Sequence, residues 1–233
     1  MITSSYQQRR GELQTYFDRT AVEAWARLTS TAPVSKIRAT VRAGRDEMRE
    51  TLLGMLPVGV QGRRVLDAGC GTGALSVGAA QRGAHVVAVD LSPTLIDLAR
   101  ERLPSHLRFG RIEFHVGDML DDSFGQFDHV VAMDSLIHYR LGDVVAAVAG
   151  FAARTRRSIL FTFAPRTPLL TLMWAVGRLF PRKDRAPAIQ PISASALRRA
   201  LAAEPALQHW RIKRTRRVDK GFYKSQALEL VKP

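Results

Sequence analysis

Two hydrophobic patterns divide this chain of 233 residues. In the N-terminal part, apolar side chains recur every three or four positions over 7–28 and again over 34–56. Such spacing predicts two amphipathic helices, the second of them stopped by Pro57. From residue 63 onward, short apolar runs alternate with helical patterns, which predicts a mostly parallel sheet covered by helices.

The individual elements of this sheet can be placed from the same pattern. Five strands are predicted, at 64–68, 85–90, 112–117, 127–133 and 157–163. The helices between them are predicted at 73–82, 93–103 and 141–153. A short helix at 193–203 and two strands joined by a turn near 219–221 complete the chain. We therefore predict an α/β fold with an N-terminal helical cap, residues 1–62, and a sheet domain, residues 63–233.

Composition indicates the size of the core and the compartment in which this fold is expected. A hydrophobic fraction of 46% in a chain of this length is enough for one α/β core. Because Cys70 is the only cysteine, no intrachain disulfide can form, and we expect a reducing, cytoplasmic compartment. The polar first residues lack the pattern of a signal peptide, and no apolar run is long enough to cross a bilayer.

Charge is distributed unevenly along the chain. The formal net charge is +14, and residues 166–233 carry fifteen basic and four acidic side chains. This excess favours an anionic partner. The basic run 211–217 keeps RNA open as such a partner, although the same pattern is also typical of a solvated edge strand.

Chemically informative residues follow the predicted strands. The first strand leads through Asp67 into a glycine-rich loop, 69–73, that opens a helix and lets the backbone approach a ligand closely. The second ends at Asp90, where an acid can accept hydrogen bonds from a ribose. The third and fourth lead to Gly117-Asp118-Met119 and Met133-Asp134-Ser135. Since parallel strands bind ligands at their carboxyl ends, we predict a nucleotide-like cofactor there.

As a set, these motifs resemble those of the class I S-adenosylmethionine-dependent methyltransferases over roughly 63–165. The resemblance implies a Rossmann-like, seven-stranded sheet, mostly parallel with the last strand antiparallel. It also implies S-adenosylmethionine as cofactor and S-adenosylhomocysteine as product, with Asp90 at the ribose and Asp118 at the adenine amino group. Asp67 is expected to order the glycine loop. The predicted cofactor-binding residues are Tyr16, Thr20, Asp67, Gly69, Cys70, Gly71, Asp90, Leu91, Ser92, Gly117, Asp118, Met119, Met133, Asp134, Ser135 and His138.

A narrower resemblance extends from end to end of the chain. The segments 16–20, 34–45, 134–139 and 161–170 are similar to those of the magnesium-protoporphyrin IX O-methyltransferases, in their bacteriochlorophyll-pathway form. That family esterifies one propionate of the porphyrin to a monomethyl ester. The resemblance implies that Tyr16 and His138 are catalytic and orient the carboxylate and the sulfonium.

An apolar and basic insertion, 166–192, follows the fifth strand and is predicted to act as a lid over this substrate. Its predicted substrate-binding residues are Arg166, Leu169, Leu170, Met173 and Trp174. The histidines lack the spacing of metal ligands, so no protein-bound metal is predicted and magnesium enters only as part of the porphyrin. The resemblance further suggests hand-over of magnesium protoporphyrin IX from the porphyrin-binding subunit of the chelatase. As alternatives to a lid, the apolar and basic segment can be an ordinary core helix or can lie on a membrane surface. The second alternative predicts peripheral contact with the cytoplasmic side of photosynthetic membranes.

Three alternatives stay open at this point. The acceptor can be another small apolar molecule such as a quinone, and the chain can be a porphyrin carrier without activity. RNA modification is less favoured, because the fourth strand is not followed by the Pro-Pro signature common in nucleic-acid amino-methyltransferases. The residues do not determine which propionate reacts, nor the oligomeric state.

Overall fold

The computed structural model describes residues 3–19, 35–107, 109–166 and 188–233. Helices α1 (Ser4–Arg19) and α2 (Lys36–Met55) come first. Ser35 caps α2 by accepting a hydrogen bond from the amide of Arg38 at 3.4 Å. The second predicted helix is thus confirmed, whereas the predicted continuation of the first helix to residue 28 lies outside the described residues.

The described residues form a seven-stranded sheet with the order β3-β2-β1-β4-β5-β7-β6. Its strands are β1 (Arg64–Ala68), β2 (His85–Asp90), β3 (Arg111–Val116), β4 (Phe127–Ala132), β5 (Thr155–Phe163), β6 (Arg211–Lys220) and β7 (Tyr223–Val231). Strand β7 runs antiparallel to both β5 and β6, and the remaining pairs are parallel. The predicted fold class is confirmed, including the antiparallel last strand.

Helices cover both faces of this sheet. They are α3 (Ala74–Gln81), α4 (Pro93–Glu101), α5 (Leu141–Ala153) and α6 (Ala194–Ala203). Short 3₁₀ turns lie at Asp122–Phe124, Leu136–His138 and Pro205–Leu207. Pro93 occupies the first turn of α4, where no intrahelical partner is lost.

The N-terminal helices share the core of the sheet domain. Tyr6 and Leu13 of α1 join the cluster around β1, β4 and α5, whereas Met48 and Leu52 of α2 join the cluster on the opposite face. Burial of these side chains stabilises the association of helices and sheet, at about 1.5–3 kcal/mol for each large apolar group. Helices α1 and α2 therefore contribute to the same core as the sheet.

A close contact fixes α2 against the hairpin of β6 and β7. A Cβ on Gly44 would lie 2.5 Å from the ring of Tyr223, so only glycine allows this approach. At the hairpin turn, Gly221 has a φ of +56° and lies against Thr40. The hairpin turn and the first half of α2 thus form one continuous wall beside the carboxyl ends of the parallel strands. Within the described ranges, no helix combines the length and the hydropathy required to cross a bilayer.

A buried histidine in β4 gives the fold a predictable response to acid. His129 shares a hydrogen bond of 2.7 Å with Ser158, and burial lowers the pKa of its imidazole from 6.5 to about 4. In the unfolded chain the imidazole binds a proton below about pH 6.5, whereas in the folded protein it stays neutral down to about pH 4. The buried, neutral His129 therefore contributes its full stability above pH 6.5, and this contribution is lost as the pH falls towards 4. The raised pKa of Asp67 acts in the opposite direction, so the effect of His129 is expected as a difference between two proteins. As the pH falls from 7 to 5, the free energy of unfolding in urea should fall further, or rise less, in the wild type than in His129→Gln. Equal slopes for the two proteins would contradict the assignment.

Candidate active site

A cavity of about 1030 Å³ lies at the carboxyl ends of the parallel strands, walled by α1, α2 and the β6–β7 turn. This volume is at the upper end of the range of about 300–1,000 Å³ for small-molecule sites, so the cavity has room for a cofactor and an acceptor together. Most of the predicted cofactor-binding residues line it. They are Tyr16, Asp67, Gly69, Cys70, Gly71, Asp90, Leu91, Gly117, Asp118, Met119, Met133, Asp134, Ser135 and His138.

The glycine loop is held against the end of β2. The amides of Gly69 and Cys70 both donate to the carbonyl of Val89, at 2.8 and 3.0 Å. The amide of Gly71 donates to Asp90 Oδ2 at 2.8 Å. The backbone of the loop is therefore fixed by the same strand end that carries the acidic side chain.

Asp90 has acceptor capacity left after these contacts. Its Oδ1 accepts from the amide of Ser92 at 3.0 Å, and a carboxylate offers about four acceptor sites in all. Burial raises the pKa of Asp90, while the two amides oppose this shift. Ser92, another predicted cofactor-binding residue, does not line the cavity: its side chain is buried and caps α4 by accepting a hydrogen bond from the amide of Leu95.

Asp67 and Cys70 are two further residues of the first motif, the first buried and the second half-buried. Asp67 accepts a hydrogen bond of 2.5 Å from Ser76 in α3, and burial raises the pKa of its carboxyl group to about 7. It therefore ties β1 to α3 as well as lining the cavity. Burial also raises the pKa of the Cys70 thiol, so this side chain is a neutral thiol.

The carboxylate of Asp118 binds the N-terminal helix. Tyr6 Oη donates to Asp118 Oδ1 at 2.8 Å, and Arg10 donates to Oδ2 at 2.9 Å. The ring of Tyr6 stacks on Tyr139, with centroids 4.9 Å apart, and burial raises the pKa of both phenols. Sequence reasoning missed Tyr6, Arg10 and Tyr139, because no local motif marks them. Asp118 thus links α1 to the edge where the adenine was predicted.

This link leads to a prediction for cofactor affinity. Tyr6→Phe removes one hydrogen bond to a charged group, worth about 1.5–3 kcal/mol, and loosens Asp118. We expect S-adenosylhomocysteine to bind about tenfold more weakly, as measured by calorimetry. Arg9→Ala is the matched control, since Arg9 pairs with Glu12 on the exposed side of the same helix. Equal affinities of the two variants would show that Tyr6 does not act through Asp118.

Asp134 is the centre of a second polar network. Its carboxylate accepts from Arg45 at 2.7 Å and from the hydroxyl of Tyr223 at 3.0 and 3.1 Å. The hydroxyls of Thr162 and Ser225 also donate to it, at 3.1 and 3.3 Å. Predicted from sequence to lie under the sulfonium, Asp134 in the structure joins β4, β5, β7 and α2. Sequence reasoning missed Arg45 and Tyr223, each 89 positions away.

The two residues predicted to be catalytic lie on the same cavity. His138 ends the 3₁₀ turn Leu136–His138, and the ring of Phe17 lies edge-on to it at 6.4 Å. Tyr16 packs edge-on against Phe17 at 5.3 Å. Burial raises the pKa of Tyr16, so its phenol is neutral and can donate a hydrogen bond. Phe17 thus lies within ring-contact distance of both predicted catalytic side chains.

The predicted substrate-binding residues are only partly described. Thr20, Leu169, Leu170, Met173 and Trp174 lie outside the described residues. Arg166 is exposed and does not line the cavity, and its amide donates to the carbonyl of Ile192 at 3.0 Å. Ile189, which the sequence did not single out, lines the cavity instead.

The cofactor end of the cavity has the chemistry that S-adenosylmethionine requires. Ser135 has a buried hydroxyl, for which the described part of the chain provides no hydrogen-bond partner. It faces Gly69, and Leu91 and Met119 supply apolar contact for a base. An unpaired hydroxyl, the acceptor sites of Asp90 and this apolar surface fit a nucleoside with a polar head. Among the described residues, no three His, Cys, Asp or Glu side chains are grouped as metal ligands.

Comparisons with known proteins agree with this geometry. A family model described as "Magnesium-protoporphyrin IX methyltransferase C-terminus" matches residues 132–232, and a general methyltransferase-domain model matches residues 65–157. The chain is 49% identical over 229 residues to the magnesium-protoporphyrin O-methyltransferase of Rhodobacter capsulatus, covering 98% of this chain and 99% of that one. It is 30% identical to the chloroplastic enzyme of Arabidopsis thaliana, covering 93% of this chain and 69% of that one.

A solved structure agrees as well. The crystal structure of magnesium protoporphyrin IX methyltransferase from Synechocystis PCC 6803 with bound S-adenosylhomocysteine matches with a TM-score of 0.83 and 28% identity. The match covers 96% of this chain and all of that one.

Proposed function

This chain belongs to the magnesium-protoporphyrin O-methyltransferase family, and from that premise we propose how its cavity esterifies one propionate of magnesium protoporphyrin IX. The enzyme depends on S-adenosylmethionine and acts in chlorophyll or bacteriochlorophyll biosynthesis. The observation that carries the proposal is a single large cavity. It is lined by the glycine loop and Asp90 as well as by Tyr16, His138 and the apolar side chains of Ile189 and Phe222.

The residues around the glycine loop are proposed to bind S-adenosylmethionine and to orient its methyl group. Asp90 is proposed to accept hydrogen bonds from the ribose hydroxyls, and Asp118 from the adenine amino group. The Gly69–Gly73 loop and Ser135 surround the methionyl head. When bound, S-adenosylmethionine supplies an electrophilic methyl group on a sulfonium.

The acceptor needs no general base at this site. A propionate is already ionised at neutral pH, so its oxygen carries the electron pair that forms the new bond. The work of the protein is therefore to align that oxygen and to exclude water. We propose that Tyr16 and His138 orient the carboxylate, and that α1 covers the two reactants. The predicted lid, 166–192, lies mostly outside the described residues.

A labelled-methyl assay tests this function directly. The purified protein is incubated with methyl-labelled S-adenosylmethionine and, in separate reactions, with magnesium protoporphyrin IX or total RNA. We expect label in a porphyrin monoester and none in RNA. Label in RNA, or in neither acceptor, would overturn the proposal, and porphyrin binding without transfer would favour a carrier.

The two orienting residues lead to a sharper prediction. Tyr16→Phe and His138→Ala are expected to keep the affinity for S-adenosylhomocysteine and to lower kcat on the order of a hundredfold, as misalignment of reacting groups does. His115→Ala is a matched control, because His115 packs against Phe124 away from the cavity. Normal turnover in both variants would show that Tyr16 and His138 do not orient the reacting groups.

We also propose two routes by which the porphyrin reaches the enzyme. Exposed Phe222 and Ile189 at the cavity edge, together with the basic C-terminal third, support peripheral contact with an anionic membrane surface. They equally support hand-over of the insoluble porphyrin from the chelatase subunit. Flotation with anionic vesicles, in the presence and absence of that subunit, measures both contacts. A protein that stays at the bottom of the gradient in each case would contradict them.

A further inference from the structure

A buried arginine lies outside the cavity and is bound to the main chain. Arg154 lies between α5 and β5, is 4% exposed and does not line the cavity. Its guanidinium donates hydrogen bonds to the carbonyls of Met119 and Asp121. A charge is costly to bury without such acceptors, and burial accordingly lowers the pKa of this guanidinium below its usual value. The position of the arginine is therefore tied to that of the two carbonyls.

Strand β4 fixes the arginine as well. The Cζ of Arg154 lies 5.5 Å from the centroid of the Phe127 ring, whose face attracts a cation. The carbonyl of Arg154 accepts a hydrogen bond of 2.9 Å from the amide of Phe127. Phe127 is the first residue of β4 and is buried in the core. Arg154 thus joins the amino end of β4 to the connection between β3 and β4.

The two carbonyls belong to this connection, which begins at the cavity. Asp118 and Met119 line the cavity. The amide of Asp121 donates to the carbonyl of Asp118 at 3.0 Å, which closes a turn over residues 118–121. By holding the carbonyls of Met119 and Asp121, the guanidinium of Arg154 fixes this turn and with it the direction of the Asp118 carboxylate.

Asp118 has little acceptor capacity left for a ligand. Its Oδ1 accepts from Tyr6 and from the amide of Leu120, at 2.8 and 2.9 Å. Its Oδ2 accepts from Arg10 at 2.9 Å. Since a carboxylate offers about four acceptor sites, about one remains, on Oδ2. A ligand amino group has to meet this one site at a favourable angle, so its hydrogen bond is sensitive to small movements of the turn.

We propose that Arg154 is a positioning residue that holds the turn 118–121 so that Asp118 Oδ2 accepts a hydrogen bond from the adenine amino group. The inference rests on the proposed function, in which Asp118 binds the adenine, and adds to it a residue outside the cavity on which that contact depends. A purine with an oxygen in place of the amino group offers no donor to Asp118 and is rejected. Arg154 thereby sets the selectivity of the site for adenine without touching the cofactor.

Two product analogues separate recognition of the base from general binding. In S-inosylhomocysteine an oxygen replaces the adenine amino group of S-adenosylhomocysteine. For the wild type we expect calorimetry to favour S-adenosylhomocysteine by about tenfold or more, the value of one hydrogen bond to a charged group. In Arg154→Met the affinity for S-adenosylhomocysteine should fall about tenfold and that for S-inosylhomocysteine much less, so the preference disappears. The KM for S-adenosylmethionine should rise by the same factor, with kcat kept.

Two further variants separate positioning from loss of packing. Arg64→Met removes the second guanidinium over the Phe127 ring, at 5.3 Å, which donates to the carbonyl of Phe124 further along the same connection at 2.9 Å. It should lower the urea midpoint, as Arg154→Met does, but keep the wild-type preference for adenine. Arg154→Lys keeps the charge and loses the planar fork that spans two carbonyls, so it should lose part of the preference.

The results distinguish this inference from the proposed function. A folded Arg154→Met with the wild-type preference, or an equal loss of preference in Arg64→Met, overturns the positioning role and leaves the proposed function intact. If Arg154→Met does not fold, Arg154→Lys decides, and an unchanged preference in that variant overturns the role. A wild type that binds both analogues equally removes the adenine contact of Asp118 and this inference with it. A wild type that transfers no methyl group to magnesium protoporphyrin IX removes the proposed function itself.

Discussion

Asp134→Ala is expected to destabilise the fold by about 3 kcal/mol and to abolish methyl transfer. The side chain of Asp134 is 5% exposed and that of Arg45 20%, so removal of the carboxylate leaves a largely buried guanidinium without its acid. The hydroxyl of Tyr223 loses its acceptor as well. Because this network joins α2 and β7 to the end of β4, both the wall formed by α2 and the hairpin turn and the 3₁₀ turn of His138 lose their alignment. Urea unfolding and the labelled-methyl assay measure the two effects.

Two variants show whether the charge or the backbone is responsible. Asp134 has a φ of +56°, a conformation that asparagine tolerates better than alanine. Asp134→Asn keeps an acceptor for Tyr223 and should therefore lose less stability than Asp134→Ala. Asp46→Ala breaks an ion pair in which Asp46 is half exposed, and should cost under about 1 kcal/mol. Similar losses for Asp134→Ala and Asp46→Ala would show that the network is not a structural centre.

Gly69→Ala is expected to weaken cofactor binding roughly a hundredfold. Gly69 has a φ of +79°, and a Cβ at this position would lie 2.4 Å from Cβ of Ser135. The backbone strain and the overlap each cost on the order of 1–3 kcal/mol, because neither the loop nor the strand end can move without the other. A combined loss of about 3 kcal/mol corresponds to roughly a hundredfold weaker binding of S-adenosylhomocysteine in calorimetry.

The control for this substitution lies in α2. Gly54 is exposed within the helix, and a Cβ there would have no neighbour within 4 Å among the described residues. Gly54→Ala should therefore keep cofactor affinity and stabilise the protein by up to about 1 kcal/mol, the helix propensity of alanine over glycine. If Gly69→Ala binds the cofactor as well as Gly54→Ala does, the loop has no role in the site.

The strands and the cofactor motifs were predictable for a local reason. A parallel strand covered on both faces is a continuous apolar run, as in Val86–Val89, and the ligand-binding turn follows it directly along the chain. The ends of the elements moved by a few residues at most, since β5 begins at Thr155 instead of 157. The resemblance of short segments to those of one methyltransferase family extended the prediction from the cofactor to the porphyrin acceptor.

What could not be predicted depends on which faces meet. The sequence shows that Arg42, Arg45 and Arg49 share a helix face, but it does not show that this face points into the cavity. That is decided by Gly44 and Thr40, which pack the neighbouring face of α2 against the hairpin. Ser92 illustrates the converse, because its position in the motif suggests a ligand whereas its burial makes it a cap.

The sequence by itself determined the sheet, the loops that line the cavity and the family, because these depend on apolar runs and on residues adjacent in the chain. Only the tertiary structure shows which arginine and tyrosine side chains bind the carboxylates of the site. Asp118 is bound by Tyr6 and Arg10 from 112 and 108 positions away, and Asp134 by residues 89 positions away on either side. Contacts over such separations follow from the docking of α1, α2 and the hairpin onto the sheet, which leaves no periodic signal in the chain.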